Sequence, residues 1–94
     1  MLILGVDPGL ANSGYGIVKA EGQSLLLIEH GVITTETSQA FPDRLVTIHD
    51  GFQKLIERHS PEACCVESIF FAKNAKSAFQ VGHARAVFIL SAAL

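Results

Sequence analysis

The chain has 94 residues and a mass of 10.1 kDa, room for one domain at most. An apolar fraction of 49% and a mean hydropathy of +0.37 are high for so small a domain, so it either packs against a partner or forms the front part of a larger fold. The net charge of −2 conceals an asymmetry: all nine acids lie at or before Glu67, and after it come only Lys73, Lys76 and Arg85, which suits an anionic partner for the last segment. No apolar run reaches membrane-spanning length, and the stretch before Asp7 is too short and uncharged for a signal peptide, so a cytoplasmic protein with no membrane partner is expected. Adjacent Cys64 and Cys65 have neither disulfide geometry nor metal-ligand spacing, and are expected as small apolar residues of a buried strand in a reducing compartment. There is no P-loop, serine elbow, internal repeat or low-complexity segment.

The chain opens with Leu2-Ile-Leu-Gly-Val-Asp7, an apolar run ending in one acid, which reads as a strand buried on both faces. Pro8 and Gly9 stop that strand. A second strand is predicted over 14–20, a tight turn at Glu21-Gly22-Gln23, and a third strand over 24–34 with a bend at Gly31. Such short connections imply an antiparallel meander. After a polar stretch, Pro42 and Asp43 suit the first turn of a helix. Leu45, Ile48, Phe52, Leu55 and Ile56 supply its single buried stripe, and Ser60-Pro61 ends it. Residues 63–67 (Ala-Cys-Cys-Val-Glu) form a fourth apolar run closing on an acid, and the helix before it makes a parallel crossover the natural connection. A last helix runs from an N-cap at Asn74 to Leu94. Its apolar face is read as Ala75, Ala78, Phe79, Gly82, Ala86, Ile89, Leu90 and Ala93; the small residues Ala78, Gly82 and Ala86 fit either a dimer contact or ordinary packing within the chain.

Asp7 and Glu67 both close apolar strands. Parallel neighbours would bring them out at the same sheet edge, about 5 Å apart. Carboxylates that close repel unless a proton or cation lies between them, and Mg²⁺ is the hard ion that carboxylates hold with room for phosphate oxygens. Burial of Asp7 would add a cost that a cation removes. The alternative is that each acid caps the turn that follows it. Phe70 and Phe71 come directly after Glu67, beside Lys73 and Asn74, where an aromatic could stack on an unpaired base or anchor the loop in the core. His30, His49, His59 and His83 show no ligand spacing and are expected at the surface or at helix ends.

Taken in order, Gly-Val-Asp7-Pro-Gly9, Gly14-Tyr-Gly16, Val-Glu67 and Phe70-Phe-Ala-Lys73-Asn74-Ala75 through Gly82-His-Ala-Arg85 resemble the RuvC family of bacterial Holliday junction resolvases, from Met1 to Leu94 in one register. The resemblance implies an α/β, RNase H-like fold: a mixed sheet flanked by helices in strand order 3-2-1-4-5. Residues 1–94 would be the N-terminal portion of one nuclease domain, stopping within a helix, with the fifth strand and last helices beyond it. It implies a homodimer working on four-way junction DNA in recombination and repair, with the branch-migration proteins RuvA and RuvB as partners. Asp7 and Glu67 would be the first two catalytic acids, holding Mg²⁺ (or Mn²⁺), two ions per complete site, for in-line hydrolysis of a phosphodiester. Phe70 matches an aromatic that stacks on junction bases and Lys73 and Arg85 match basic positions near it; Phe71, Asn74 and Lys76 complete the expected DNA-binding set.

Two departures stand out. Ala86 follows Arg85 where the family usually has Gly. The family's remaining carboxylates, on a helix after the fifth strand, have no match in the 94 residues, so the chain alone is expected to cut junctions poorly or not at all. The sheet edge beside the fourth strand would also be open. Two rival readings remain. The Asp-x-Gly turn and glycine hairpin also resemble the first phosphate turn of actin-like ATPases and sugar kinases, but neither a second phosphate loop nor an adenosine site can be found. A non-catalytic dimerising fragment would bind without metal-dependent cleavage.

Overall fold

The computed structural model describes residues 1–66 and 75–94, with the side chains of all of these but 75–79. Its elements are strands β1 (Leu2–Asp7), β2 (Asn12–Glu21) and β3 (Ser24–Thr34), helix α1 (Phe41–His59), strand β4 (Ala63–Val66) and helix α2 (Ala75–Ala93). The sheet order is β3-β2-β1-β4. β1 pairs antiparallel with β2, β2 antiparallel with β3, and β4 parallel with β1. The predicted meander and crossover are both present.

The two-residue turn between β2 and β3 uses Gly22 at a φ of 58°, a left-handed conformation that a side chain would strain. The predicted bend at Gly31 is not where β3 departs from regularity. The register shifts instead between Ile17 and Val18, opposite Ile28. Gly31 serves another purpose: a Cβ there would sit 2.7 Å from the Tyr15 hydroxyl, so the glycine lets the Tyr15 side chain lie across β3.

Alternation divides the sheet into two unlike faces. Leu4, Val6 and Ile17 share one face and are buried with Ile48, Phe52 and Leu55 of α1 and Ala84 and Phe88 of α2 in a single core. The Phe52 and Phe88 rings meet edge-on at 4.7 Å. Burying each aromatic contributes roughly 2–3 kcal/mol. Both helices thus cover the same face, and among the described residues no helix covers the other.

Helix α1 begins at Ala40 without a side-chain cap, with Pro42 in its first turn, where a missing N–H costs little. It ends where the Ser60 N–H donates to the Ile56 carbonyl at 2.8 Å, with Ser60 in the left-handed region. Beside that end, Glu29 of β3 accepts hydrogen bonds from the Tyr15 hydroxyl (2.9 Å), His59 Nε2 (2.9 Å) and Arg58 Nη1 (3.2 Å). These donors, His59 first and Tyr15 next, hold the Glu29 carboxyl below the ordinary carboxylate range. Burial, followed by the bond to Glu29, raises the Tyr15 phenol.

Further expectations change. β1 is buried on one face only: Leu4 and Val6 are enclosed, but Asp7 is exposed. The burial cost that would have favoured a cation at Asp7 is therefore absent. Cys64 and Cys65 are exposed: among the described residues β4 is a four-residue edge strand with β1 as its one neighbour, and Cys65, paired with Gly5, lies on the uncovered face. His49 is neither at the surface nor at a helix end. Half-buried in mid-α1, its Nδ1 lies 2.7 Å from Ser91 Oγ, which itself donates to the Val87 carbonyl, so Nδ1–H is the donor of that pair.

Candidate active site

Asp7 is the last residue of β1 and pairs with Gly14 of β2. Its face is the uncovered one, shared by period and pairing with Gly5, Gly14, Gly16, His30, Val32 and Cys65. Gly16, Gly5 and Cys65 form one row across β2, β1 and β4 directly behind the acid. Gly5, Val6, Asp7, Cys65 and Val66 line an open depression of about 340 Å³. Among the described residues the exposed carboxylate therefore stands at the margin of a floor nearly free of side chains.

The turn after Asp7 is tightly closed. A Cβ at Gly9 would fall 2.3 Å from the Asn12 carbonyl oxygen, so no side chain fits there. Buried Ser13 donates to the Gly9 carbonyl at 2.7 Å and accepts from the Gly9 N–H at 3.2 Å. Buried Thr35 donates its hydroxyl to the Leu10 carbonyl at 2.6 Å and its N–H to the Ala11 carbonyl at 2.9 Å. Arg44 Nε donates in turn to Thr35 Oγ1 at 2.9 Å. The sequence reading missed Ser13, Thr35 and Arg44. A serine four residues after Gly9 was the one local signal; the other two reach the turn only through the fold.

The predicted partner of Asp7 is Glu67. Val6 and Val66 are in register in the parallel β1–β4 ladder, which brings the end of β4 beside the end of β1. Glu67, Phe70, Phe71, Lys73 and Asn74 lie outside the described residues. Lys76 and Ala78 fall in the first turns of α2. Arg85 is half-buried on α2 and already engaged by another group. Gly82 is half-buried and Ala86 exposed. Among the described residues no three His, Cys, Asp or Glu side chains cluster as a metal site. The exposed Asp7 carboxylate above its open floor, the one carboxylate there among the described residues, does fit a hydrated hard cation, which takes one or two protein carboxylates and keeps several waters.

Residues 3–94 match the RuvC family, crossover junction endodeoxyribonuclease RuvC. The chain belongs to the RuvC family. Among its relatives, the RuvC of Ruminiclostridium cellulolyticum is 45% identical over 99% of this chain and 56% of its own length. That of Alkaliphilus oremlandii is 46% identical over 99% of this chain and 57% of its own. The RuvC of Thermus thermophilus, solved in complex with a Holliday junction substrate, superposes with a TM-score of 0.91 at 30% identity, covering 98% of this chain and 56% of that one. This chain thus spans a little over half the length of the RuvC relatives it matches. The Ppx/GppA phosphatase of Aquifex aeolicus, at 16% identity and a TM-score of 0.61, shares the fold alone. The sheet order 3-2-1-4 flanked by helices is the RNase H-like arrangement expected for RuvC.

Proposed function

We propose that this protein acts as a structure-selective, metal-dependent endonuclease that resolves Holliday junctions in recombination and repair. The observation that carries the reading is the exposed Asp7 at the end of β1, beside a parallel β4 in register up to Val66, in a chain of the RuvC family. Glu67, one residue further on, is the natural second ligand. Asp7 and Glu67 would hold Mg²⁺, or Mn²⁺ in its place, two ions completing the site with further carboxylates. Such ions supply a water nucleophile at neutral pH and charge for the leaving oxygen. The chain's own residues do the rest. Asp7 and Glu67 orient the site. The glycine floor admits a phosphodiester backbone. Phe70, Phe71, Lys73, Asn74, Lys76 and Arg85 are the residues proposed to engage the junction.

The same reading makes residues 1–94 the N-terminal portion of one nuclease domain of a homodimer. A two-fold dimer offers one acid site to each of two symmetric strands. RuvA and RuvB are the proposed partners and the bacterial cytoplasm the proposed location. Among the described residues no helix is long and apolar enough to cross a membrane.

Cleavage of a mobile four-way junction in Mg²⁺ or Mn²⁺ tests the proposal, comparing the chain with a form extended at its C-terminus by the matching segment of a RuvC relative. The extended form is expected to nick symmetrically, and Asp7→Asn to lower the rate by roughly 10³-fold or more, as loss of a group that acts as part of a unit does. The 94-residue chain is expected to cut weakly or not at all. Failure of the extended form to bind or cut the junction overturns the reading, and ATP-dependent thermal stabilisation would then favour a nucleotide-binding protein.

A further inference from the structure

The connection from Asp7 to β2 is held more firmly than a hairpin between neighbouring strands requires. The carbonyls of Gly9, Leu10 and Ala11 each accept a hydrogen bond from outside that tripeptide: the Ser13 hydroxyl, the Thr35 hydroxyl and the Thr35 N–H. Thr35 comes 25 residues along the chain, immediately after β3 and one step beyond the Asn12–Thr34 pair of the β2–β3 ladder, and is 7% exposed. Its hydroxyl has a fixed sense. Arg44 Nε–H donates to Oγ1, so the hydroxyl proton is committed to the Leu10 carbonyl, at 2.6 Å. A guanidinium donor polarises that hydroxyl and strengthens the bond it makes. The relay Arg44–Thr35–Leu10 thereby ties helix α1 and the end of β3 to the turn beneath the acid.

Asp7 needs such support. It forms the last rung of the β1–β2 ladder, and ladder ends open most easily. Its exposed side chain has no hydrogen-bond or ion-pair partner among the described residues, so among them its backbone is what sets its reach.

We propose that Thr35, backed by Arg44, is a positioning residue for Asp7, fixing the turn so that the carboxylate meets its ion at one distance. This rests on the metal-binding role proposed for Asp7. A shift of about 1 Å in a positioned group can lower catalysis by roughly 10²-fold, so a relay acting at one remove can matter as much as a ligand.

The test measures Mn²⁺ affinity by water-proton relaxation, together with melting temperature and junction affinity without added metal, in the form of the protein that cuts junctions. Thr35→Val removes the hydroxyl at nearly constant shape and is expected to weaken Mn²⁺ binding roughly tenfold while leaving metal-free junction affinity within twofold. Thr35→Ser, which restores the hydroxyl, should return Mn²⁺ affinity to within about twofold of wild type. Arg44→Met should weaken it by a smaller factor, roughly threefold, and carries the test if Thr35→Val does not fold. A lower melting temperature with unchanged Mn²⁺ affinity in both Thr35→Val and Arg44→Met overturns the proposal, because a merely structural clamp behaves that way. So does failure of Thr35→Ser to rescue. Asp7→Asn is the control: if it binds Mn²⁺ as wild type does, the metal role of Asp7 falls, and the positioning proposal falls with it for a separately visible reason.

Discussion

Asp7 and Glu29 are both single acids with opposite circumstances. Asp7 is exposed with an open floor behind it, whereas Glu29 accepts from Tyr15, His59 and Arg58 and fastens the end of α1 to the sheet. The Glu29 carboxyl is held below the ordinary value of 4.5 in the folded chain. The unfolded state therefore binds the proton more readily, and the stability this gives is complete above about pH 4.5 and lost as pH falls through the folded value. Glu29→Gln is expected to lower the melting temperature at neutral pH, with the gap from wild type closing in the acid limb. Thermal unfolding from pH 7 down to pH 3 would show a constant gap if the carboxylate did not matter. At this scale Asp7 was legible, because an acid after an apolar run and before Pro-Gly is a local pattern. Thr35 and Arg44 were not, since Thr35 acts on the Leu10 carbonyl 25 residues away and Arg44 acts only through the Thr35 hydroxyl, and a polar residue after a strand looks like any other loop residue.

Helix α1 and helix α2 differ in the same way. The α1 stripe of Ile48, Phe52 and Leu55 is buried as its spacing foretold, because polar residues fill most of the rest of its surface, Phe41 and Val46 excepted. α2 carries apolar or small residues on nearly every side, so its periodicity gave no direction. The packed face proves to be Ala84, Phe88 and Ser91, and the face assigned from sequence, with Ala86, Ile89, Leu90 and Ala93, lies outward. A close approach also sets α1 on the sheet: a Cβ at Gly51 would sit 2.8 Å from Ile33 Cδ1 and 3.1 Å from both its γ carbons. Gly51→Ala would gain about 1 kcal/mol of helix propensity but meet an overpacking cost of about 1–3 kcal/mol, so a net loss of roughly 1 kcal/mol is expected. Ile33→Val trims the δ carbon that stands nearest. In a double-mutant cycle by denaturant unfolding, the pair should be less destabilised than the sum of its single substitutions; strict additivity would mean that α1 shifts freely and the contact does not constrain it.

For the molecule as a whole, the uncovered surfaces need a reason. Leu25, Leu26, Leu27 and Ile28 are exposed on edge strand β3, and Ile89 and Leu90 on the outer side of α2. An exposed apolar edge strand invites pairing with another chain, so β3 competes with α2 as a self-association surface. The outer side of α2 is the better candidate for the proposed dimer. Its Gly82 and Ala86 lie one turn apart and bring little bulk, with Ile89 and Leu90 adding apolar area, and it points away from the core formed by Ala84 and Phe88. Ala86 is exposed, so Ala86→Glu costs the monomer no more than a few tenths of a kcal/mol in helix propensity. Sedimentation over a range of concentrations is expected to show wild type as a dimer and Ala86→Glu as a monomer with an unchanged melting temperature in dilute solution. Leu26→Lys on β3 serves as the counterpart and should leave the dimer intact. The reverse result, with Leu26→Lys monomeric and Ala86→Glu dimeric, would move the interface to the sheet edge. Junction cleavage would then need a different arrangement of the two Asp7 sites, because β3 lies two strands from β1 and α2 packs on the opposite face of the sheet.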